Sequence, residues 1–163
     1  MSEKLESMKI ELWQLGKNHA EIEPLIMLYE KRLKQYNPFG IETLAEAKKM
    51  PDAQREKIKQ QEAATVLKKL DATDILILLD EKGKNYTSIQ YAHQLQQWLN
   101  TGKKRMIFLI GGAYGFHESI YQRQQAQISF SAMTFSHQII RVMFMEQLYR
   151  AFTILNNEPY HHE

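Results

Sequence analysis

Two uninterrupted apolar stretches constrain the fold of this chain more than any other feature. Asp74–Leu79 reads DILILL, and Met106–Ile110 reads MIFLI. A strand that is apolar at nearly every position is buried on both faces, which is typical of a parallel sheet covered by helices. Segments with apolar residues at helical spacing alternate with these strands and supply such helices. The sequence therefore predicts one α/β domain with a mainly parallel sheet flanked by helices.

Periodicity, turn residues and capping residues give the approximate bounds of the other elements. Strands are predicted at Lys9–Leu15, Ile41–Leu44, Asp74–Leu79, Met106–Ile110 and Gln127–Phe130. Helices are predicted at Glu23–Leu33, Asp52–Leu70, Ile89–Leu99, His117–Gln124 and His137–Leu155. Asp80–Tyr86 is predicted to be a loop with Gly83 at its turn, and Ser136 is predicted to cap the last helix.

Composition excludes several classes of protein. The chain has 163 residues, which suits one domain, and no cysteine, so disulfides and thiolate chemistry are excluded. It has no apolar run long enough to cross a membrane. It also has no apolar segment near Met1 of the kind found in a signal peptide, so we expect a cytoplasmic protein. A net charge of +2 gives no basic excess that would by itself indicate nucleic-acid binding.

Three predicted strands end in segments that could hold a small ligand. Their ends are Leu79 followed by Asp80, Ile110 followed by Gly111 and Gly112, and Phe130 followed by a loop from Ser131 to Ser136. In open parallel sheets, ligands bind beyond the carboxyl ends of the strands. The glycine segment matches neither the P-loop nor the GxGxxG pattern. By itself it is as consistent with a tight turn as with a ligand loop.

The predicted helix His137–Leu155 is apolar on nearly all sides, which indicates burial all round and part of its surface against a second subunit. Arg141 lies among apolar neighbours and is a candidate for binding a carboxylate or phosphate. Arg150 and Glu146 share a face and could form a simple ion pair.

The residues after this helix include Tyr160, His161 and His162, which offer a stacking ring and groups that titrate near neutral pH. The alternative is a disordered terminus. Two adjacent histidines lack the spacing of zinc ligands, so no metal site is predicted.

Several segments together, and in this order, resemble one known family. They are MKIELWQLGK (Met8–Lys17), YEKRL (Tyr29–Leu33), LLDEKGK (Leu78–Lys84), FLIGGAYGF (Phe108–Phe116), ISFSAMTFSHQIIRV (Ile128–Val142), EQLYRAF (Glu146–Phe152) and EPYHHE (Glu158–Glu163). The chain resembles the ribosomal large subunit methyltransferase H family of the SPOUT class. The resemblance covers a single domain from Met8 to Glu163 and leaves residues 1–7 as an N-terminal extension. Ala113 stands where family members often have proline.

The resemblance implies an α/β fold with a C-terminal trefoil knot, a homodimer, and S-adenosylmethionine as the cofactor. It also implies methylation of N3 of a pseudouridine, nucleotide 1915 of 23S rRNA, in assembled ribosomes, with no membrane and no metal involved. Preference for ribosomes would account for the modest net charge. The alternatives left open are a SPOUT enzyme for another rRNA or tRNA nucleotide, a non-catalytic dimeric ribosome-binding factor and, more remotely, a nucleotide-binding hydrolase.

Carried over by position, the resemblance also implies the residues of the site. The cofactor-binding residues would be Leu79, Gly111, Gly112, Phe130, Ser131, Ala132, Met133, Thr134 and Phe135. The catalytic residues would be Arg141, Arg150, Tyr160 and His161. Tyr160 and His161 belong to the segment after the last helix, here called the tail, which could come from the same or the partner subunit. We hypothesise that His161 is the general base and that Arg141 stabilises charge, because the imide N3–H of the target must be lost.

Overall fold

The computed structural model describes residues 7–162, which contain five strands and five α-helices. In chain order they are β1 (Lys9–Leu15), α1 (Glu23–Leu33), β2 (Phe39–Leu44), α2 (Arg55–Lys69), β3 (Ile75–Asn85), α3 (Ser88–Leu99), β4 (Arg105–Ile110), α4 (Glu118–Arg123), β5 (Ala126–Ser129) and α5 (His137–Leu155). A 3₁₀ turn at Asp52–Gln54 precedes α2. The bounds predicted for β1, α1 and α5 are confirmed.

All five strands are parallel and form one sheet in the order β2-β1-β4-β3-β5. The strand β4 shows why the central runs are continuously apolar. Its residues Met106 and Phe108 lie in the core with α1, α3 and α5, whereas Ile107 and Leu109 face the core with α2 and α4. Both faces are thus covered, as the apolar runs predict, and the predicted α/β class with a mainly parallel sheet is confirmed.

Side-chain caps fix where the helices begin. Thr87 and Gln90 form a reciprocal capping box at the start of α3. Ser136 accepts a 3.1 Å hydrogen bond from the backbone N–H of Ile139 and so caps α5, as predicted. The first residue of α5 therefore follows directly on the β5–α5 loop, and its position is set by the cap.

The prediction of a loop at Asp80–Tyr86 is wrong for residues 80–85. The strand β3 pairs with β5 up to Leu79, has a bulge before Lys84, and pairs with β5 again at Lys84 and Asn85. Gly83 lies so close to β5 that an added Cβ would be 2.6 Å from the backbone carbon of Ile128. Charged residues and a glycine predict a turn, but here the glycine permits two backbones to approach closely.

Three further expectations concern the N-terminal extension, the knot and membrane-spanning helices. Of the predicted N-terminal extension, residues 1–6 lie outside the described residues. The trefoil knot implied by the resemblance stays a prediction. Across residues 7–162 we find no helix with the length and apolar character needed to cross a membrane.

Candidate cofactor-binding site

The carboxyl ends of β3, β4 and β5 surround a cavity of about 200 Å³. Its apolar wall is made by Leu79, Ile110, Ile128 and Ile140, and the loops after the strands contribute polar groups. The parallel sheet produces this arrangement, because the loops after adjacent parallel strands emerge at the same edge. The cavity is therefore where the strand ends predicted a ligand site.

Eight of the nine residues predicted to bind the cofactor line this one cavity. They are Leu79, Gly111, Gly112, Phe130, Ser131, Met133, Thr134 and Phe135. The ninth, Ala132, is an exposed residue of the same loop and does not line the cavity. The structure thus brings together segments that are up to 56 positions apart in sequence, from Leu79 to Phe135. Their cofactor contacts stay a prediction.

The β5–α5 loop is held in place by its own hydroxyl groups. The hydroxyl of Ser129 donates a 2.8 Å hydrogen bond to the carbonyl of Ser131, whose own hydroxyl accepts a 3.0 Å bond from the backbone N–H of Met133. Thr134 donates a 3.0 Å bond to the carboxylate of Glu81 on β3. These bonds tie the two sides of the cavity together and leave a loop of fixed shape against its apolar wall.

The glycine loop packs against α2 on the side away from the cavity. A Cβ at Gly112 would lie 2.5 Å from Oε2 of Glu62, so a larger residue here would displace that carboxylate or move the loop. Burial, and then repulsion from Glu46, raises the pKa of Glu62. Tyr114, within the loop, donates a hydrogen bond to Asp52 at the start of the 3₁₀ turn. The loop is thus anchored to the beginning of α2.

Three ionisable side chains line the cavity, and none of them is among the predicted binding or catalytic residues, although Asp80 stands at a strand end where a ligand was expected. They are Asp80, Glu81 and His137. Burial, and then the charge of Arg141, lowers the pKa of His137, which favours the neutral ring. Asp80 and Glu81 directly follow the apolar part of β3, and His137 directly follows the Ser136 cap. The signal available in the sequence was therefore the position of these residues at the end of an apolar run or at the start of a helix.

The guanidinium of Arg141 does not reach the cavity. Its side chain is 2% exposed, and it donates hydrogen bonds to the carbonyls of Leu15 (2.7 Å) and Gly16 (3.1 Å) and to Oδ1 of Asn18 (3.0 Å). Burial lowers its pKa, and the carboxylate of Glu46 opposes this. These contacts support a positioning role at the end of β1. The predicted role in stabilising charge on a substrate stays a prediction.

The other three predicted catalytic residues form a second cluster around Glu146. Arg150 donates two hydrogen bonds to Oε1 of Glu146, at 3.1 and 2.6 Å, and lies 3.0 Å from Nδ1 of His161. Tyr160 donates a 3.2 Å bond to the same carboxylate, and its ring lies 4.8 Å beneath the guanidinium. Burial, followed by hydrogen bonding to Tyr29 and the charge of Glu146, raises the pKa of Tyr160 to about 12.

The cluster of Glu146, Arg150, Tyr160 and His161, here called the tail cluster, and the cavity lie at opposite ends of α5. His137 opens the helix at the cavity and Arg150 is near its other end. At 1.5 Å of rise per residue the two are separated by about 20 Å. Within one subunit, the structure therefore brings together the predicted cofactor residues and separately brings together Arg150, Tyr160 and His161, but it does not bring the two groups together. Among residues 7–162 no cluster of three or more His, Asp or Glu could hold a metal ion.

Comparison with known proteins identifies the family. A family profile described as "Predicted SPOUT methyltransferase" matches residues 8–161. Proteins named ribosomal RNA large subunit methyltransferase H from Flavobacterium johnsoniae and from Parabacteroides distasonis are each 46% identical over 157 residues, covering 96% of this chain and 100% of the relative. In fold, the chain is similar to a probable methylase family protein from Haemophilus influenzae Rd KW20, with a TM-score of 0.52, 13% identity, and coverage of 96% of this chain and 69% of that one. The chain therefore belongs to the SPOUT methyltransferase family, among the ribosomal RNA large subunit methyltransferase H proteins.

Proposed function

We propose that this protein methylates N3 of a pseudouridine in the large subunit rRNA of assembled ribosomes, with S-adenosylmethionine as the methyl donor. The observation that carries the proposal is the cavity at the ends of β3, β4 and β5 in a chain of a methyltransferase family. The names of its relatives support large subunit rRNA as the substrate. The specific nucleotide follows from the resemblance that the sequence motifs carry.

The residues around the cavity fit the chemistry of this cofactor. When bound, S-adenosylmethionine supplies an electrophilic methyl group on a positively charged sulfur. Leu79, Ile128 and Phe130 offer apolar surface for an adenosine, and the fixed loop after Phe130 offers backbone groups for the edge of its base. Gly111 gives a ligand access to the backbone. The carboxylates of Asp80 and Glu81 suit a cationic ligand, because opposite charges attract strongly where water is partly excluded.

The tail cluster supplies the groups that we assign to the target base. N3 of pseudouridine carries a proton that must leave as the new N–C bond forms, so a base is needed near it. His161 is our candidate for that base, because an imidazole can accept a proton near neutral pH. Tyr160 and Arg150 contact each other and Glu146. They would hold the target nucleobase and offset the negative charge that develops on it as N3 loses its proton.

We also propose that the protein is a homodimer whose tail completes the site of the partner subunit. The distance of about 20 Å along α5 keeps a subunit's own tail from its cavity. The helix α1, whose Tyr29 is hydrogen-bonded to Tyr160 of the tail, carries exposed apolar residues: Leu25 is 45% exposed and Leu28 is 40% exposed. Tyr29 packs on Tyr149. An apolar surface beside the tail favours a second copy at this position.

Methyl transfer from radiolabelled S-adenosylmethionine tests the function. The acceptors are ribosomes from a strain that lacks this enzyme, free 23S rRNA, and tRNA, and the control enzyme is a Ser131→Trp variant whose cavity is filled. Label on ribosomes, mapped to N3 of a pseudouridine and absent with the control, is the expected result. Label on tRNA alone would change the substrate. A folded dimer that labels no acceptor would favour a non-catalytic ribosome-binding factor.

A further inference from the structure

One carboxylate on the cavity wall is held by bonds to both of its oxygen atoms. Oδ2 of Asp80 accepts a hydrogen bond from the phenol of Tyr121, and Oδ1 accepts a 3.0 Å bond from the backbone N–H of Lys82. A carboxylate with both oxygens bonded loses little further freedom when a ligand binds. Asp80 directly follows Leu79, which is the last residue of β3 paired with both neighbouring strands before the bulge.

Tyr121 is well placed to orient this carboxylate. Its ring is half-buried and meets the ring of Phe116 edge-on, at 5.8 Å between centroids and 89° between planes. Phe116 itself lines the cavity. Burial, followed by the hydrogen bond to Asp80, raises the pKa of Tyr121. The phenol therefore keeps its proton and acts as a donor, which requires Asp80 to be the acceptor.

The charge on the cavity wall is negative. No lysine or arginine lies among the lining residues between positions 7 and 162, and the ionisable groups there are Asp80, Glu81 and His137. Burial and then the charge of Arg141 lower the pKa of His137, which disfavours a positive charge on its ring. Glu81 is exposed and engaged with Thr134 across the mouth of the cavity, whereas Asp80 is more enclosed. Asp80 is therefore the carboxylate that solvent screens least.

This charge bears on a chemical difference between the methyl donor and its product. S-adenosylmethionine carries a positive sulfonium, and the thioether left after methyl transfer, S-adenosylhomocysteine, does not. Their adenosine and amino-acid groups are otherwise the same. A fixed negative charge near the sulfur binds the donor more tightly and leaves binding of the product almost unchanged.

We propose that Asp80 is a specificity-determining residue that recognises the sulfonium charge, with Tyr121 as its positioning residue. The inference rests on the proposed cofactor and adds a means by which the site distinguishes the charged donor from the neutral product. Because the product lacks the charge that Asp80 binds, the same carboxylate favours exchange of spent product for fresh donor.

Calorimetric titration of the full chain with S-adenosylmethionine and, separately, with S-adenosylhomocysteine tests this role. Asp80→Asn keeps the shape of the side chain and removes its charge. We expect it to weaken donor binding about tenfold and product binding less than about twofold, in keeping with the loss of one partly screened charge pair. Tyr121→Phe, which frees the carboxylate but keeps its charge, should weaken donor binding about threefold.

Two controls separate this role from a structural one. Glu118→Gln removes a carboxylate from α4, the helix that carries Tyr121, outside the cavity lining, and should change neither affinity. Thermal unfolding of each variant reports on folding, and Asp80→Ser, which also removes the charge, replaces Asp80→Asn if the latter does not fold, with the ratio of the two affinities again the readout. Equal weakening of both ligands, or no weakening, would overturn the proposal. Failure of the unsubstituted protein to bind either ligand would instead remove the proposed cofactor, and this inference with it.

Discussion

The guanidinium of Arg141 donates a 2.7 Å hydrogen bond to the carbonyl of Leu15, a residue 126 positions earlier in the chain. Leu15 ends β1, and Arg141 lies in the second turn of α5. Gln138 adds to the same junction by accepting a 2.8 Å bond from the backbone N–H of His19. The helix that follows the β5–α5 loop is thereby fixed to the loop after the first strand. The cavity wall at His137 depends on this attachment.

Replacing Arg141 with methionine tests how much this junction stabilises the fold. Three acceptors on residues 15–18 would lose the guanidinium as a donor, and of these Oδ1 of Asn18 keeps its bond from Nε2 of Gln14. Because buried polar groups without partners are costly, we expect the free energy of unfolding to fall by about 2–4 kcal/mol. Urea unfolding measures this. Arg55→Met, which removes a guanidinium stacked on Tyr114 at the surface, should cost less than about 1 kcal/mol. Equal losses for the two variants would contradict the expectation.

Gly83 should be far less tolerant of alanine than another glycine of the chain. A Cβ at Gly83 would meet the backbone of Ile128 at 2.6 Å, and backbone cannot move aside as a flexible side chain can. We expect Gly83→Ala to lower the free energy of unfolding by about 3 kcal/mol or more and to weaken binding at the cavity, since Ile128 lines it. Gly102 has a φ of +72° and open space around its Cβ direction, so Gly102→Ala should cost only about 1 kcal/mol. Denaturant unfolding measures the free energy of unfolding of both variants, and equal losses would contradict this expectation.

The stability contributed by Glu62 should depend on pH. Its pKa is raised in the folded protein, so the fold favours the protonated carboxyl. That contribution is complete below the unfolded pKa near 4.5 and is lost as the pH rises through the higher folded value. Glu62→Gln removes the ionisation and should therefore stabilise the protein at pH 7.5 but not at pH 4. The comparison is made by urea unfolding at these two pH values. A variant less stable than the unsubstituted protein at pH 7.5 would show that the ionised carboxylate is favourable in the fold.

Mixing two inactive variants tests whether the site is shared between subunits. Ser131→Trp fills the cavity and leaves the tail intact, whereas His161→Ala alters the tail and leaves the cavity intact. Random association of equal amounts gives half heterodimers, each with one intact site if the tail comes from the partner. Methyl transfer should then recover to about a quarter of the unsubstituted level.

The outcomes of this mixing experiment are distinct. If each subunit used its own tail, every site in the mixture would carry one defect and no activity would return. His161→Ala alone also tests the assigned base, because unchanged turnover at saturating cofactor would exclude that role for His161.

The sequence predicted those parts of the fold that depend on local patterns. Continuous apolar runs gave the buried strands, and Ser136 gave the start of α5, because periodicity and capping act over a few residues. The bulge of β3 was missed because a glycine among charged residues has the same local appearance in a turn and in a close approach of two strands. Only the position of β5 distinguishes the two cases.

The site shows the same division. Eight of the nine predicted cofactor residues surround one cavity, because they follow strand ends that a parallel sheet must bring to one edge. The contacts of Arg141 could not be predicted, since no local pattern links it to Leu15. The same holds for Asp80 and Tyr121, which are 41 positions apart and meet only after folding.

The attachment of α5 to the end of β1 also constrains when the protein can acquire its site during synthesis. A nascent chain folds from its first-made end, yet here the first strand's loop obtains its buried donor from a helix translated more than a hundred codons later. Contacts of such long separation also slow folding, because the intervening chain must be ordered first. The cavity can therefore form completely only after α5 has left the exit tunnel of the ribosome. A protein that we propose to modify ribosomes thus becomes competent for cofactor only once most of it has emerged from the ribosome that makes it.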